Sequence, residues 1–183
     1  LSGRVVLDIE PGDYEVTSTL VVNKCVDLNL RGVSLFPAAG VDAIRVVQGG
    51  DFSILRGGVF IVGPSAAHTG IGIDIQAHHV SVIDDPFVRE MGTGIRVYGP
   101  SAAQNSNAVR VEGAVIFKPH HVGIYLNGGE VNAGNFDAIE IVGSPTTEYG
   151  VLDESFLGNL MRGMHISTTT KEAVKITKTA NYG

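Results

Sequence analysis

The sequence lacks tryptophan, has only one cysteine, and carries little charge for its length of 183 residues. A single thiol at Cys25 cannot build an internal disulfide framework or a zinc-ribbon pattern. Acidic residues outnumber basic residues by 19 to 13, which gives a net charge of −6 at pH 7. Because phosphate binding needs clustered lysine and arginine side chains, we expect no nucleic-acid partner.

Long apolar runs are also missing from the sequence. No stretch approaches the roughly 20 apolar residues that a membrane-spanning helix needs, so we expect no membrane partner. The chain is nevertheless 44% hydrophobic, and it contains 24 glycines. Aliphatic residues interrupted by frequent glycines favour short strands joined by tight turns, and hence an all-β fold.

A short pattern recurs along the chain: a small residue, an aliphatic residue, any residue, and a second aliphatic residue. It is clearest as GIDI from Gly72, GIRV from Gly94 and GIYL from Gly123. Repetition at a near-constant period is the signature of a solenoid, in which each coil buries its apolar face against the next. The first aliphatic residue returns at intervals of roughly 22 to 29 residues: Ile44, Ile73, Ile95, Ile124 and Val151.

A second column of alternating segments runs out of phase with the first, and a third apolar patch follows most of its turns. The second-column segments are VDLNLRG, FSILRGG, VSVIDD, AVRVEG and AIEIVG, which turn at Gly32, Gly57, Asp84, Gly113 and Gly143. Three strands per period predict a parallel β-helix of about five to six coils. We expect a single domain over residues 1–183, with opening strands in residues 1–25 and coils in residues 26–183.

Strand alternation assigns each side chain to the interior or the exterior of the predicted solenoid. The expected inward residues of the first column include Ile73, Ile95 and Ile124, and those of the second are Leu28, Ile54, Val82, Val111 and Ile141. The expected outward residues are Arg45, Asp74, Arg96 and Tyr125 in the first column, and Asn29, Ser53, Ser81, Arg110 and Glu140 in the second.

The stretch VVLDIEPGDYEVTSTLVV near the N-terminus resembles the opening segment of the pectate-lyase-like right-handed β-helix superfamily. In both, a strand leads into a Pro-Gly-x-Tyr turn, here Pro11 to Tyr14, and then into a Thr-Leu strand. Within that superfamily the chain is most similar to a phage tailspike or tail-appendage module. The resemblance implies a right-handed solenoid, a polysaccharide or cell-surface glycan as ligand, a homotrimer, and a location in the virion tail or outside the cell. It also leads us to expect that the chain is a segment of a longer protein.

The enzymatic signatures of the superfamily are missing from this sequence. Of the polygalacturonase motifs only Asp84-Asp85 is present, and there is no Gly-His-Gly. The calcium-binding acidic cluster of the pectate lyases has no counterpart that we can locate. No family active site is therefore carried over onto this chain.

The first-column stripe of Arg45, Asp74, Arg96 and Tyr125 is the strongest candidate ligand site. It offers forked donors, acceptors and a flat apolar ring, which are the groups that a saccharide needs. The alternative is a solvated face whose opposite charges form favourable ladder pairs.

Carboxylates in the second column are candidates for acid–base chemistry. Asp85 and Glu112 fall on neighbouring predicted coils. Carboxyl groups about 5 Å apart suit a retaining glycosidase, and groups about 6.5–9.5 Å apart suit an inverting one. Glu140 is the third candidate acid, with Arg110 as a charge stabiliser or substrate-binding residue. Alternatively, Asp84-Asp85 turns a corner of the solenoid, and Arg110 and Glu140 form a surface ion pair on successive coils.

Two histidine pairs, His78-His79 and His120-His121, invite a metal site, but the predicted coils place them at different corners. We therefore expect no metal and no cofactor. Three hypotheses remain open: a polysaccharide-binding module of a tailspike-like surface protein, a polysaccharide depolymerase acting as a lyase or glycosidase, and a structural spacer without a ligand.

Overall fold

The computed structural model describes residues 4–61, 69–155 and 158–177. These residues form strands only, and the strands stack into three parallel sheets of seven strands each. The prediction of an all-β parallel solenoid with three strands per coil is confirmed, although the stack has about seven coils instead of five to six. The described part of the chain has no helix long and apolar enough to cross a bilayer.

Sheet A contains the first strand of every coil. Its members are β1 (Val5–Asp8), β4 (Val26–Asn29), β7 (Ile54–Arg56), β10 (Ser81–Ile83), β13 (Arg110–Glu112), β16 (Asn135–Asp137) and β19 (Leu160–Arg162). Sheet B contains the second strand. Its members are β2 (Gly12–Val16), β5 (Val33–Pro37), β8 (Val59–Ile61), β11 (Phe87–Arg89), β14 (Val115–Phe117), β17 (Glu140–Val142) and β20 (His165–Ser167).

Sheet C contains the third strand and carries the recurring four-residue pattern. Its members are β3 (Leu20–Val22), β6 (Ile44–Val46), β9 (Ile71–Ile75), β12 (Thr93–Tyr98), β15 (Val122–Gly128), β18 (Tyr149–Ser155) and β21 (Val174–Ile176). The opening segment, residues 5–22, supplies β1, β2 and β3. Each of these strands is the edge member of its sheet, so the opening segment forms a complete first coil.

The core is a set of aliphatic columns that run along the stack. In sheet C, Ile73, Ile95 and Ile124 lie side by side in register, as predicted, and all three are fully buried. In sheet B the column contains Phe60, whose ring is also fully buried. Because parallel pairing repeats the same register from coil to coil, one apolar position per strand becomes a continuous core.

The glycine of the recurring pattern is explained by close packing. Gly94 and Gly123 are the second residues of adjacent sheet C strands. A Cβ on Gly123 would lie 2.5 Å from the carbonyl oxygen of Gly150 and 2.8 Å from the Ile141 side chain. The backbone of sheet C therefore approaches the inward side chains of sheet B too closely for a larger residue. The second coil has Ala43 at the corresponding place, and its side chain is fully buried.

The predicted position of Glu140 and Ile141 in the second column is wrong. Both residues lie in β17 of sheet B, where Ile141 pairs with Ile116. The sheet A strand of that coil is Asn135–Asp137, and Arg110 pairs with Asn135. Asparagine and aspartate are rare in strands, so the alternation pattern does not identify Asn135–Asp137 as a strand. The pattern therefore assigns the next alternating run, which contains Glu140 and Ile141, to the second column.

The second column is also shifted by one residue in the third coil. Leu55 is the buried residue that pairs with Val82, whereas Ile54 is only partly buried. Ser53, expected to face outward, is fully buried; its hydroxyl accepts a hydrogen bond from Val26 N at 3.1 Å and donates one to Lys24 O at 3.2 Å. Adjacent Ile and Leu leave the register ambiguous by one residue, and such a slip exchanges the two faces.

The turn from sheet A to sheet B places a residue with positive φ on successive coils. Asp84 has φ of 65° and follows Gly57 at 64° in this column, while Gly113 has 71° and Ala138 has 52°. Aspartate tolerates this backbone region better than most residues, so Asp84 turns the corner as its alternative interpretation predicted. Its carboxylate forms an ion pair at 2.5 Å with Arg31, which lies two coils earlier.

We predict that Gly123→Ala lowers the free energy of unfolding by about 1–3 kcal/mol, because a buried methyl group would collide with backbone and with Ile141. Ala43→Gly is the matched control at the same place in another coil, with an expected loss of about 0.5–1 kcal/mol. Urea unfolding followed by circular dichroism measures both. A Gly123→Ala protein as stable as the parent would contradict the close approach of the two sheets.

Candidate functional site

The outer face of sheet C brings the four residues of the predicted stripe together. Arg45 pairs with Asp74, Asp74 with Arg96, and Arg96 with Tyr125, so they occupy four successive coils. Parallel pairing in register produces this column directly, because residues that point outward at the same strand position stack along the sheet. We call this set the first outer column.

Asp74 is the centre of the first outer column, and it does not face solvent as the sequence suggested. Its side chain is completely buried between Arg45 and Arg96. Arg45 Nε donates to Asp74 Oδ2 at 2.9 Å, and Arg96 donates from Nε to Oδ1 at 2.9 Å and from Nη2 to Oδ2 at 2.8 Å. Gln76 Nε2 adds a further donor at 2.7 Å. The carboxylate is thus fully engaged by protein groups.

The two arginines stay charged in this arrangement. Burial lowers the pKa of Arg96, but the hydrogen bonds and the negative charge of Asp74 outweigh it, and the pKa lies above its ordinary value. The pKa of Arg45 is raised in the same way, with burial opposed by Asp42 and Asp74. Asp42 also accepts the backbone N–H of Ile71 at 2.8 Å, which ties the ion network to the sheet.

A second outer column lies beside the first, two residues further along each strand. Tyr98 pairs with Asn127, and Asn127 pairs with Glu154. Gln76 follows β9 at the corresponding place, next to Asp74 in the chain alternation. The recurring four-residue pattern ends before these residues, although continuing the alternation by one step identifies them.

Tyr125 links the two outer columns. Its hydroxyl donates a hydrogen bond to Glu154 Oε2 at 2.6 Å and accepts one from Asn127 Nδ2. Burial raises the pKa of Tyr125, and the hydrogen bond to Glu154 raises it further. Arg96 lies against the ring of Tyr98, with Cζ 5.3 Å from the ring centroid. The face therefore presents two partly exposed tyrosines among amide and charged groups.

A recess of about 270 Å³ opens beside these columns, at the C-terminal ends of β6, β9 and β12. It is lined by Val47, Gln48, Gln76, Tyr98, Pro100 and Gln104. Gln48, Pro100 and Gln104 come from connecting segments between sheets C and A, for which strand periodicity gives no signal.

The predicted residues Arg110 and Glu112 lie on the outer face of sheet A. They form an ion pair with each other within one strand, and both side chains are about half exposed. The expected pairing of Arg110 with Glu140 is not formed, because the two residues belong to different sheets.

The other two candidate acids lie apart from each other. Asp85 is exposed at the turn between sheets A and B, and its carboxylate fills the space that a Cβ on Gly113 of the next coil would occupy. Glu140 lies on the outer face of sheet B, 3.4 Å from the imidazole of His165. Asp85 and Glu112 thus share a neighbourhood of adjacent coils, whereas Glu112 and Glu140 face outward from different sheets.

The two histidine pairs occupy different corners of the solenoid, as predicted. His79 lies between sheets C and A, stacked on Phe52 with ring centroids 4.7 Å apart. His120 and His121 lie between sheets B and C and line a recess of about 550 Å³ together with Glu148 and Lys171. Within residues 4–61, 69–155 and 158–177, no three metal-binding side chains cluster together.

Comparison of the chain with protein-family models, with curated proteins and with solved structures gives no match in any of the three.

We predict that Asp74→Asn destabilises the fold by about 2 kcal/mol, since the positive charges of Arg45 and Arg96 lose the opposing charge of Asp74. A fully buried pair loses about 3–5 kcal/mol, and the partial exposure of the arginines reduces that figure. Glu112→Gln is the matched control; its exposed pair with Arg110 contributes less than about 1 kcal/mol. Equal losses for the two variants in urea unfolding would show that Asp74 is not a structural centre of the face.

Proposed function

We propose that this solenoid binds a polysaccharide along the outer face of sheet C, as a module of a tailspike-like surface protein. A location in a virion tail or outside the cell is part of the proposal. Its basis is the resemblance of the opening segment together with the parallel β-helix fold. The observation that carries it is the pair of outer columns, which line up aromatic rings and hydrogen-bonding groups over successive coils.

The three outer faces differ in chemistry, and this difference favours sheet C. Sheet A carries ion pairs such as Arg56 with Asp27 at 2.7 Å and Arg162 with Asp137 at 2.8 Å. Sheet B presents mainly apolar side chains. Among the described strands, only those of sheet C combine partly exposed tyrosines with amide groups. A saccharide needs both an apolar surface and directed hydrogen bonds.

The dimensions of sheet C suit an extended polymer. Seven strands spaced about 4.8 Å apart span roughly 29 Å. Because the outer columns run across the strands, a chain lying along the stack meets a new pair of side chains at every coil. The ion network around Asp74 keeps this surface rigid, which limits the conformational entropy lost on binding.

The depolymerase hypothesis is the alternative, and it places the ligand elsewhere. Asp85 and Glu112 are its acid–base pair, at the turn of sheet A, with Arg110 beside them. Glu140 would act only through a groove that reaches sheet B. A structural spacer is the third possibility, in which the outer columns contribute stability alone.

We predict that Tyr125→Ala weakens binding at least about tenfold, or about 1.4 kcal/mol, because the ring and its link to Glu154 are lost. A panel of neutral and acidic polysaccharides is first screened for retention, and affinity for each retained glycan is measured by calorimetry. Arg162→Ala on sheet A is the matched control and should bind like the parent.

Three outcomes would favour another function or another site. A parent chain that retains no glycan favours the spacer. Loss of binding in Arg110→Ala with full binding in Tyr125→Ala would place the ligand on sheet A. Release of new reducing ends or unsaturated products, abolished by Glu112→Gln, would establish the depolymerase.

We further propose a homotrimer assembled through the outer face of sheet B. Phe87 and Phe117 stack on adjacent coils with ring centroids 6.5 Å apart, and Arg89 and Lys118 lie 5.9 and 5.1 Å from the centre of the Phe117 ring. Because the apolar stripe repeats with the coil spacing, the stripe of a second copy can pack against it with the same spacing. The partly buried apolar side chains of this face are Phe36, Val59, Ile61, Phe87, Val115, Phe117 and Val142.

We predict that the chain has the mass of three copies in solution and that Val59→Glu, next to Phe87 in the apolar stripe, reduces it to one, because the new carboxylate would be buried unpaired in an apolar interface. Light scattering coupled to gel filtration gives the mass. Ile83→Glu, a similar change on the outer face of sheet A, should leave the trimer intact. A single-copy mass for the unaltered chain at high concentration would refute the assembly.

A further inference from the structure

The recess at the C-terminal ends of β6, β9 and β12 is built in part by a loop that the fold holds in place. Residues 99–106 leave β12 and fold back over its end. Gly99 N–H donates to Asn127 O at 3.0 Å, and Ser106 N–H donates to Glu130 O at 2.9 Å. The Ser106 hydroxyl is buried and donates to Tyr98 O at 2.6 Å. Both ends of the loop are therefore anchored to the following coil, and Ser106 is also anchored to the end of β12.

Further hydrogen bonds hold the middle of the loop in place. Gln48 donates its amide hydrogen to Ala103 O, so the second coil is tied to the middle of the loop. The turn itself is closed by Gln104 N–H to Ser101 O at 2.8 Å and by Asn105 Nδ2 to Ala102 O at 3.1 Å. The recess is thus preformed, as ligand sites usually are.

The lining of the recess carries no formal charge among the residues that the structure describes. It consists of the amides of Gln48, Gln76 and Gln104, the phenol ring of Tyr98, and the apolar Val47 and Pro100. The nearest ionic groups are paired with each other, since Arg96 donates two hydrogen bonds to the carboxylate of Asp74. Gln76 donates a further hydrogen bond to the same carboxylate. None of the described lining residues offers a cation to a carboxylate or sulfate on a ligand.

This chemistry selects among glycans. Recognition of an acidic sugar relies on arginine or lysine forks, and an anion placed against neutral amides loses hydration without compensation. Amides donate and accept at once, which matches sugar hydroxyl groups, and the Tyr98 ring offers an apolar surface to the ring carbons. At about 270 Å³ the recess is smaller than the roughly 300–1,000 Å³ of sites for drug-sized ligands, so it suits one unit of a longer chain.

We propose that this recess holds one unit of an uncharged polysaccharide, with the Gln76 and Gln104 amides bonded to its hydroxyls and Tyr98 against its apolar face. The inference rests on the proposed function of the sheet C face and specifies its substrate class. The rest of the polymer continues along the outer columns towards Tyr125.

The test compares neutral with acidic polymers on the intact chain. Dextran and galactomannan serve as neutral probes, and hyaluronate and dextran sulfate as acidic probes, each measured by calorimetry at low and high salt. We expect binding to a neutral polymer that changes little with salt, because no ion pair is formed. Gln104→Ala and Tyr98→Ala should each weaken it about tenfold, while Tyr98→Phe retains most of the affinity.

Ser101→Ala, in the same loop but outside the lining, is the matched control and should bind like the parent. Thermal unfolding of each variant separates a loss of affinity from a loss of fold. Two results would overturn the recess and leave the sheet C proposal standing. One is binding of acidic polymers only. The other is a neutral polymer whose affinity is unchanged in Gln104→Ala and Tyr98→Ala but reduced in Tyr125→Ala. A chain that retains none of the probes or of the wider glycan panel overturns both.

Discussion

Parallel backbone pairing in constant register between successive coils is the constraint on which the whole molecule depends. It puts Ile73, Ile95 and Ile124 on top of one another, and by the same geometry it places the residue after each of them in a column outside. The core and the outer faces are therefore not independent. Any insertion that preserves the register changes only a corner, whereas a shift of one residue exchanges interior with exterior along a whole strand.

The most demanding consequence of this constraint is the buried carboxylate of Asp74. A charge without solvent is costly unless it is paired and hydrogen-bonded, and here the coils before and after it supply Arg45 and Arg96 at the same strand position. The ladder of opposite charges thus holds neighbouring coils together from the outside, as the aliphatic columns do from the inside. It also engages the charges of Arg45, Asp74 and Arg96 with one another, beside a recess whose described lining is neutral.

The sequence predicts the repeating parts of the molecule well, because alternation and period act on many residues at once. The sheet C strands and the corner at Asp84 follow from them. The exceptions have local causes: β16 is built from Asn135 and Asp137, which do not look like strand residues, and Ile54 beside Leu55 gives no preference for either register. Burial of Asp74 was missed because it depends on the length of neighbouring arginine side chains, which periodicity does not describe.

The same distinction separates stability from recognition in the candidate site. The outer columns belong to the repeat, and one further step of alternation from Arg96 and Tyr125 reaches Tyr98 and Asn127. The recess does not belong to it, since Gln48 and Gln104 come from connections of different length between sheets C and A. A solenoid tolerates such connections because the strands on either side keep their register without them. In the proposed glycan-binding function, the corner loops would supply specificity for a particular sugar, and the outer columns would supply general affinity for an extended polymer.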